Sequence, residues 1–584
     1  MDKMLAFFKR FDTPASTHTF GLFRILYACY NLGLIYQLFS NWPLYFDHIA
    51  PISLSYFPVK LSLMLWTMAN IQLVTGTFTR FAAVANYVFV VIMAAYFSNI
   101  KIASFNDDLL RIGGFLLIFL PAGKSFSVDA VVNRFYSKQP NKTTSNLYYL
   151  LTILVSLGLL YFASGISKLF SPMWQKGIGL WIPAVIPSYK WNTFSFFVDQ
   201  QWLMYSLNYL VITFELLFVV LLFKKKIHPL IVLIGIGFHL GIALLFPFYY
   251  ISFGPIFYYS LFIPSSWWTK LKNKIRVRNP LHISYNPTII RHVHASQLLR
   301  AFNYRHAYVF VESTNQTKMV FGIRYDWEGF LAALEKSFLL FPLSFILKIK
   351  NLQYLAEYAS ENWLPQHFEQ NEPQPASNRF RRFVFFIFIA ALCWVQLLSL
   401  GYHTYTALKA DNQKRERYLQ QRVALQDFST KPSNLARTFF GINSRGVFLD
   451  HAFNGSKTVF ALALMNPDGT EKWLPVFTPD GYVTGDNIGL RWHKLSFKYF
   501  GRTQTQPDTI GFQKYTLLWA KKQHLPLQQM NIRVYRRIYP CPTEYETGYL
   551  AKMLALPWDT VGVIHWKDSV FTYENLKPDT AFNQ

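Results

Sequence analysis

The sequence predicts a mainly α membrane protein: a polytopic helical bundle of eight spans plus a ninth, a small cytoplasmic α/β domain and a C-terminal β-rich extracytoplasmic domain. Three observations carry that prediction. Of the 584 residues, 52% are hydrophobic, 18% aromatic and only 15% charged, where an ordinary soluble chain is about 25% charged. Apolar runs close to the length that a membrane-crossing helix needs recur through the first 265 residues. The 57 Lys and Arg outnumber the 31 Asp and Glu, for a net charge of +26, and they are spread unevenly over the segments between those runs.

In chain order the runs fall near 20–40, 59–76, 82–100, 108–122, 147–168, 203–223, 229–247 and 250–265, with a ninth at 383–403. The fourth and eighth are short enough to need tilt, burial or extension by polar ends. With a cytoplasmic N-terminus, the inner segments 1–19, 77–81, 122–146 and 224–227 carry eleven basic residues, from Lys3 to Lys226. The outer segments 41–58, 100–105 and 169–202 carry three: Lys101, Lys176 and Lys190. That asymmetry sets the expected orientation. Lys3, Lys9 and Arg10 precede no short apolar core with a small-residue cleavage site, so the first run is expected to act as an uncleaved anchor.

The domains expected are 1–268 for the bundle, 269–378 for the α/β unit, 379–404 for the ninth helix and 405–584 for a helical stalk and β-rich domain. Lys270, Lys272, Lys274, Arg276 and Arg278 follow the eighth run as a cytoplasmic flank. Residues 308–311 and 319–321 read as strands, and 327–340 and 344–359 as helices. Glu369 to Asn378 is a linker, and Arg379, Arg381 and Arg382 flank the ninth run. Beyond 435, turns at Asn466-Pro467-Asp468-Gly469 and Pro479-Asp480-Gly481 separate strand-like runs at 457–465, 490–500 and 531–539. Arg437, Phe440, Val447 to Asp450 and Phe453 read as the buried start of that domain, ahead of a substrate-binding motif, and no site is assigned there.

Basic residues scattered through loops rather than gathered in one stripe argue against a nucleic-acid partner. Cys29, Cys393 and Cys541 offer no disulfide framework, redox pair or zinc site, so no metal is expected. Membrane lipid is the partner that composition implies.

Charge inside a span costs about 2.5–3.5 kcal/mol at mid-helix on insertion scales, so the short set Arg24, Asp107, Asp108, Arg111, Lys168, Glu215 and His239 is informative. Asn106, Asp107 and Asp108 open the fourth run and Lys168 closes the fifth. Consecutive helices run antiparallel, which brings both ends to one outer face. Glu215 lies near the middle of the sixth run and His239 past the middle of the seventh. Lys168 reads either as a snorkelling residue at a helix end or as a base in an apolar pocket, where the charged form of an amine is disfavoured. His239 suits a helix-to-helix hydrogen bond, and Glu215 suits a buried partner of an arginine or a protonated acid. Arg24 reads as structural, with Asp129 as its partner at the inner face.

Five pieces in this order resemble the vitamin K-dependent gamma-carboxylase family and its bacterial relatives that carry the horizontally transferred transmembrane (HTTM) domain. They are Phe23-Arg24; Asn106; Ser127-Val128-Asp129 with Asn133; Gly165-x-x-Lys168-Leu169 with Trp174 and Gly177; and Phe238-His239-Leu240 with Leu245-Phe246. The resemblance covers roughly 15–268. It implies that Lys168 matches the base toward a reduced vitamin K or menaquinol-type quinol, that His239 matches a core histidine, and that the partners include a lipid-soluble quinol and an extracytoplasmic peptide or protein. Taken together with the charged residues in the spans, it gives candidate catalytic roles for Lys168, His239 and Asp107, a candidate pocket that includes Asn106, Asp108, Glu215 and Trp174, and structural roles for Arg24, Ser127 and Asp129. A bacterial cytoplasmic membrane is the implied location. Asp107 departs from the pattern, standing where the animal enzymes have histidine, and one residue is inserted between Leu169 and Trp174. Residues 282–363 resemble the DCC thiol-oxidoreductase-like family, with Ile289 and His292 in place of its two cysteines; a structural or docking role follows. The alternative to an enzyme is a membrane scaffold or transporter-like binder with a structural charge network.

Overall fold

Backbone amides in lipid must be satisfied within a helix or a closed barrel, and each of the nine apolar runs is helical in this computed structural model. The structure describes residues 13–42, 56–99, 105–136, 143–192, 194–337, 340–362, 364, 376–409, 435, 438–441, 449–496, 507–527 and 529–576. The nine helices are α1 His18–Ser40, α2 Tyr56–Thr75, α3 Thr79–Asn99, α4 Phe105–Phe119, α5 Leu147–Leu169, α6 Gln201–Leu221, α7 His228–Leu245, α8 Tyr249–Tyr259 and α9 Ala376–Lys409. Among the described residues, four of them, α1, α5, α6 and α7 with its preceding turn, are long and apolar enough to cross a membrane. The apolar stretches Thr79–Ala94, Leu109–Phe119 and Phe383–Leu398 are shorter. Inside α5 the residues Leu154–Gly158 form a π-helical turn, and there the Val155 carbonyl accepts from Gln396 Nε2 of α9 at 2.9 Å. Such a turn widens the ladder and leaves a carbonyl for an outside donor.

At the end of the bundle where α1 begins, Arg24 is fully buried and donates to the carbonyls of Ala122, at 2.6 Å, and Phe126. Asp129 instead accepts from the amides of Phe78 and Thr79 at 2.9 and 2.8 Å, which caps the start of α3. Arg24 and Asp129 therefore make no direct ion pair and anchor neighbouring turns through backbone groups closer to hand, while the Asp129 charge still acts on the guanidinium across the short gap. Ser127 Oγ donates to the Gly123 carbonyl at 2.6 Å and accepts from Ala130 N at 3.0 Å. Gly76, at φ +69°, lies so close that a Cβ would stand 2.2 Å from that of Ser127 and 2.8 Å from Arg24 Nη1; only glycine fits.

Two further modules attach at opposite ends of α1. Near its start, Ser16 N donates to Ser265 Oγ at 2.9 Å, and Trp268 Nε1 donates to Thr19 Oγ1 at 2.7 Å. These contacts hold the helix Ser265–Lys274 that leads into a small α/β unit. The unit has strands β1 Leu281–Tyr285, β2 Tyr308–Glu312, β3 Val320–Phe321 and β4 Arg324–Tyr325, in sheet order β2-β1-β3-β4. β1 and β2 are parallel across the helix Ile290–Ala301. His292 sits in the first turn of that helix, where Nδ1 accepts from Asn286 N at 3.4 Å.

At the far end of α1, Lys522 Nζ donates to Asn41 Oδ1 at 3.1 Å and Arg491 Nη2 to Gln37 Oε1 at 3.3 Å. Both donors belong to a five-stranded antiparallel domain built from β5 Ser456–Met465, β6 Glu471–Trp473, β7 Gln529–Pro540, β8 Asp559–Lys567 and β9 Val570–Asn575, in order β9-β8-β7-β5-β6. The helix Thr509–Lys522 packs on one sheet face, through Phe512 on Phe460 and through Thr516, which accepts from Trp566. The strand expected at 490–500 is instead the helix Arg491–Leu495. Asn487 Oδ1 accepts from Trp492 N at 3.0 Å, and this side-chain acceptor starts a helical turn where the apolar pattern alone suggested extended chain. Residues 497–500 lie outside the described residues.

Candidate functional site

The segment 170–200 was expected to be an outer loop. It folds into short helices, Pro172–Gln175, Trp181–Val185, Pro187–Tyr189 and Ser195–Phe197, whose Trp174, Trp181 and Val185 are buried. They lie along the outer half of α6: Asn208 Nδ2 donates to the Trp174 carbonyl at 3.0 Å and Tyr209 OH to the Gln175 carbonyl at 2.8 Å. At 1.5 Å per residue, Glu215 is roughly 20 Å into α6 from its start at Gln201. The end of α5 is therefore covered, not at a free membrane face.

That placement decides between the two readings of Lys168. Its side chain is only 5% exposed, as is that of Glu215, so it does not snorkel. Nζ lies 2.6 Å from both Glu215 carboxylate oxygens and 2.8 Å from Ser164 Oγ one turn back on α5. The Trp174 ring covers it, with its centroid 4.9 Å from Nζ. Beside the ammonium is a cavity of about 30 Å³ lined by Lys168, Trp174 and Gly179 with apolar residues that include Pro183, Val211, Phe238 and Phe246. An α5–α6 ion pair inside an apolar wall suits proton storage and transfer, because neither charge is screened by water.

His239 belongs to a neighbouring polar string. Its Nε2 is 2.6 Å from Tyr161 OH, which is 3.1 Å from Tyr259 OH, while Nδ1 is buried without a hydrogen-bond partner. His239 thus makes the inter-helix bond expected of it. It is absent from the cavity wall, to which its neighbour Phe238 contributes. The side chains of Asn106, Asp107 and Asp108 lie outside the described residues, so the site contains Lys168, Glu215 and Trp174 from the expected set. Arg111 of α4 donates to the Thr438 carbonyl at 3.0 Å.

Ser164, Tyr161, Asn208 and Gly179 were not read as part of the site. Ser164 was detectable four residues before Lys168, one turn along the same helix face; the others depend on packing between segments far apart in sequence. At the seam with the C-terminal domain, Lys190 donates to Ser195 Oγ at 2.9 Å and stands over the Tyr482 ring. Burial lowers its ammonium to about 8. Burial, with the Lys457 charge second, holds the His493 imidazole at about 3.

The donor set, a buried amine and carboxylate within apolar walls, has the chemistry to meet a hydroxyl-bearing ring. The volume does not: a cavity near 30 Å³ holds a water or two, whereas a cavity of about 150 Å³ is the size that admits benzene. A quinol ring does not fit while Trp174 lies over Lys168. Among the described residues no group of three His, Cys, Asp or Glu stands ready for a metal.

Fold and site together define a membrane protein with a helical bundle around a capped, buried Lys–Glu pair. The model of the HTTM domain family matches residues 15–267, so this part of the chain is an HTTM domain, a domain found in vitamin K-dependent carboxylase-related membrane proteins. No curated protein and no solved structure matches the chain.

Proposed function

We propose that the chain is an integral membrane enzyme, resembling the gamma-carboxylases, in which Lys168 is the base and Glu215 its proton partner. The observation that supports this most is the buried Lys168–Glu215 contact beside an apolar cavity within the HTTM domain. Passing one proton from Nζ to the carboxylate leaves a neutral amine beside a neutral acid, and the neutral amine is the form able to act as a base. Apolar surroundings lower the cost of that shift, since two buried charges are expensive to keep. The reductant proposed is a quinol of the reduced vitamin K or menaquinol type, which supplies electrons and an ionisable hydroxyl when bound; Trp174 has to move before it enters. The substrate proposed is a peptide or protein received by the C-terminal domain.

The same reading takes α2, α3, α4, α8 and α9 as further spans, eight plus a ninth, with the N-terminus and α/β unit on the cytoplasmic side of a bacterial cytoplasmic membrane. Attachment of the two modules at opposite ends of α1 supports it, as does the eleven-to-three basic asymmetry. For the α/β unit, whose His292 and Ile289 stand at cysteine positions of the DCC-like pattern, a docking role is proposed.

The direct test is to purify the full chain, extract its lipids for a retained quinone, and follow oxidation of added quinol. Lys168→Ala should abolish turnover in the protein that still folds; persistence of turnover would refute the role of Lys168. A non-enzymatic scaffold or transporter-like binder is the second reading. It is favoured by the fully engaged carboxylate, both oxygens at 2.6 Å, and by the small cavity.

A further inference from the structure

Lys168 is shut in by Trp174, and the turn that leads into Trp174 is held by a residue from a different part of the protein. We propose that Asp450 of the C-terminal domain is the positioning residue for the lid over the Lys168–Glu215 pair: it latches the turn that carries Trp174, so the outer domain governs access to the pair. The inference rests on the proposed function only for what that access serves.

Lys168 is the penultimate residue of α5, and the chain turns immediately beyond it, with Ser171 N donating to the Lys168 carbonyl at 3.1 Å. The helix Pro172–Gln175 follows. Its first residue has no N–H, and Trp174 N and Gln175 N both donate to the Ser171 carbonyl, at 3.0 and 2.9 Å, which leaves the Met173 N–H to be met from outside the segment. Asp450 supplies what is missing: Oδ2 accepts from Ser171 O–H at 2.5 Å and Oδ1 from Met173 N–H at 2.9 Å. Both carboxylate oxygens hold this one turn, across 279 residues of sequence.

The next residue is the lid. Trp174 is 2% exposed and lies over Nζ. Its carbonyl is held by Asn208, and its ring backs onto Gly179, where a Cβ would fall 2.3 Å from the ring. Neither of those two contacts reaches the turn that leads into Trp174; beyond the turn's own backbone bonds, Asp450 holds it from outside the segment. The surrounding packing joins the two parts as well, since Trp174, Trp181, Val211 and Phe246 share one apolar cluster with Phe453, Phe460 and Trp492 of the outer domain. A shift of the domain that pulls Asp450 off Ser171 removes two charge-assisted hydrogen bonds from the turn and frees the ring that limits the cavity.

The test reads access to Glu215 directly, without any assumed activity. The full chain in detergent micelles is treated with dicyclohexylcarbodiimide, a lipid-soluble reagent for carboxyl groups in apolar surroundings. The rate of adduct formation on the Glu215 peptide is followed by mass spectrometry, with Asp129 at the other end of the bundle as reference. Asp450→Ala should raise the Glu215 rate at least tenfold while Asp129 keeps its parental rate. Ser171→Ala, which leaves the Met173 bond, should raise it less, and it carries the test if Asp450→Ala does not fold. Trp174→Ala should raise it at least as far as Asp450→Ala, and the double variant should go no further than Trp174→Ala alone, because Asp450 acts through the ring. Parental rates in both Asp450→Ala and Ser171→Ala, equal rises at Glu215 and Asp129, or full multiplication in the double variant would each overturn the proposal. Quinol turnover in the same preparations fails or succeeds independently, so a functional failure is not mistaken for a failed latch.

Discussion

Replacing Lys168 by Met separates a structural pair from a chemical one. The substitution keeps side-chain length but leaves the Glu215 carboxylate, 5% exposed, facing apolar walls with no cation. An exposed pair would cost about 0–1 kcal/mol to break. A pair this buried, with both oxygens 2.6 Å from Nζ, should cost about 3–5 kcal/mol because the surviving charge is stranded. Lys168→Met/Glu215→Met removes both charges and should return to within about 1 kcal/mol of the parent, or exceed it, since well-packed apolar residues replace buried pairs at little cost. The assay is unfolding of the full chain in mixed micelles with increasing denaturing detergent, followed by far-ultraviolet circular dichroism. A loss below about 1 kcal/mol for Lys168→Met would refute a dry pair. With stability restored in the double variant, quinol turnover is the discriminant: a structural network predicts recovery, and a base predicts none.

Gly179→Ala places a Cβ 2.3 Å from the Trp174 ring and should cost about 1–3 kcal/mol by overpacking, with a shift in tryptophan emission that Trp174→Phe abolishes; an unchanged spectrum and stability would contradict the packing. Asp129→Ala removes the acceptor for two amides at the start of α3 and should lose about 1–2 kcal/mol, measured in the same micelle assay. His493 is held at about 3 against 6.5 by burial, so between those values the unfolded chain binds the additional proton. Stability should therefore rise with pH through that window, be complete above 6.5 and fall away towards 3; His493→Gln should flatten the slope, and an identical slope would dismiss the assignment. For topology, cysteines placed at Gly469 and at the 92%-exposed Ile323, with Cys29, Cys393 and Cys541 replaced by serine, should label oppositely in intact cells. An impermeant maleimide should reach the first and not the second.

How much of this was written in the sequence depends on the distance over which each feature is built. The four long apolar helices begin and end within two residues of the expected runs, because hydropathy acts locally and every residue of the run reports it. The polar residues Lys168, Glu215 and His239 stood out for the same reason, as exceptions to that local pattern. Their partners did not. Lys168 and Glu215 are 47 positions apart, and the local pattern left Glu215 as either a buried partner of an arginine or a protonated acid, with nothing to point to Lys168. The helix antiparallelism that drew attention to Asp107 and Asp108 neglected the fold-back of 170–200, which sinks the end of α5 beneath a cap and brings it level with the interior of α6. Asp450 is the extreme case. In sequence it is one acid in an aromatic stretch before a strand, and nothing local distinguishes a buried start of a domain from a latch on a turn 279 residues earlier. The same logic explains why the small cavity and the proposed chemistry are compatible. A base kept neutral or paired at rest has to be dry, dryness requires a lid, and a lid made from the loop that the outer domain holds would tie exposure of the proposed base to the domain proposed to receive a substrate.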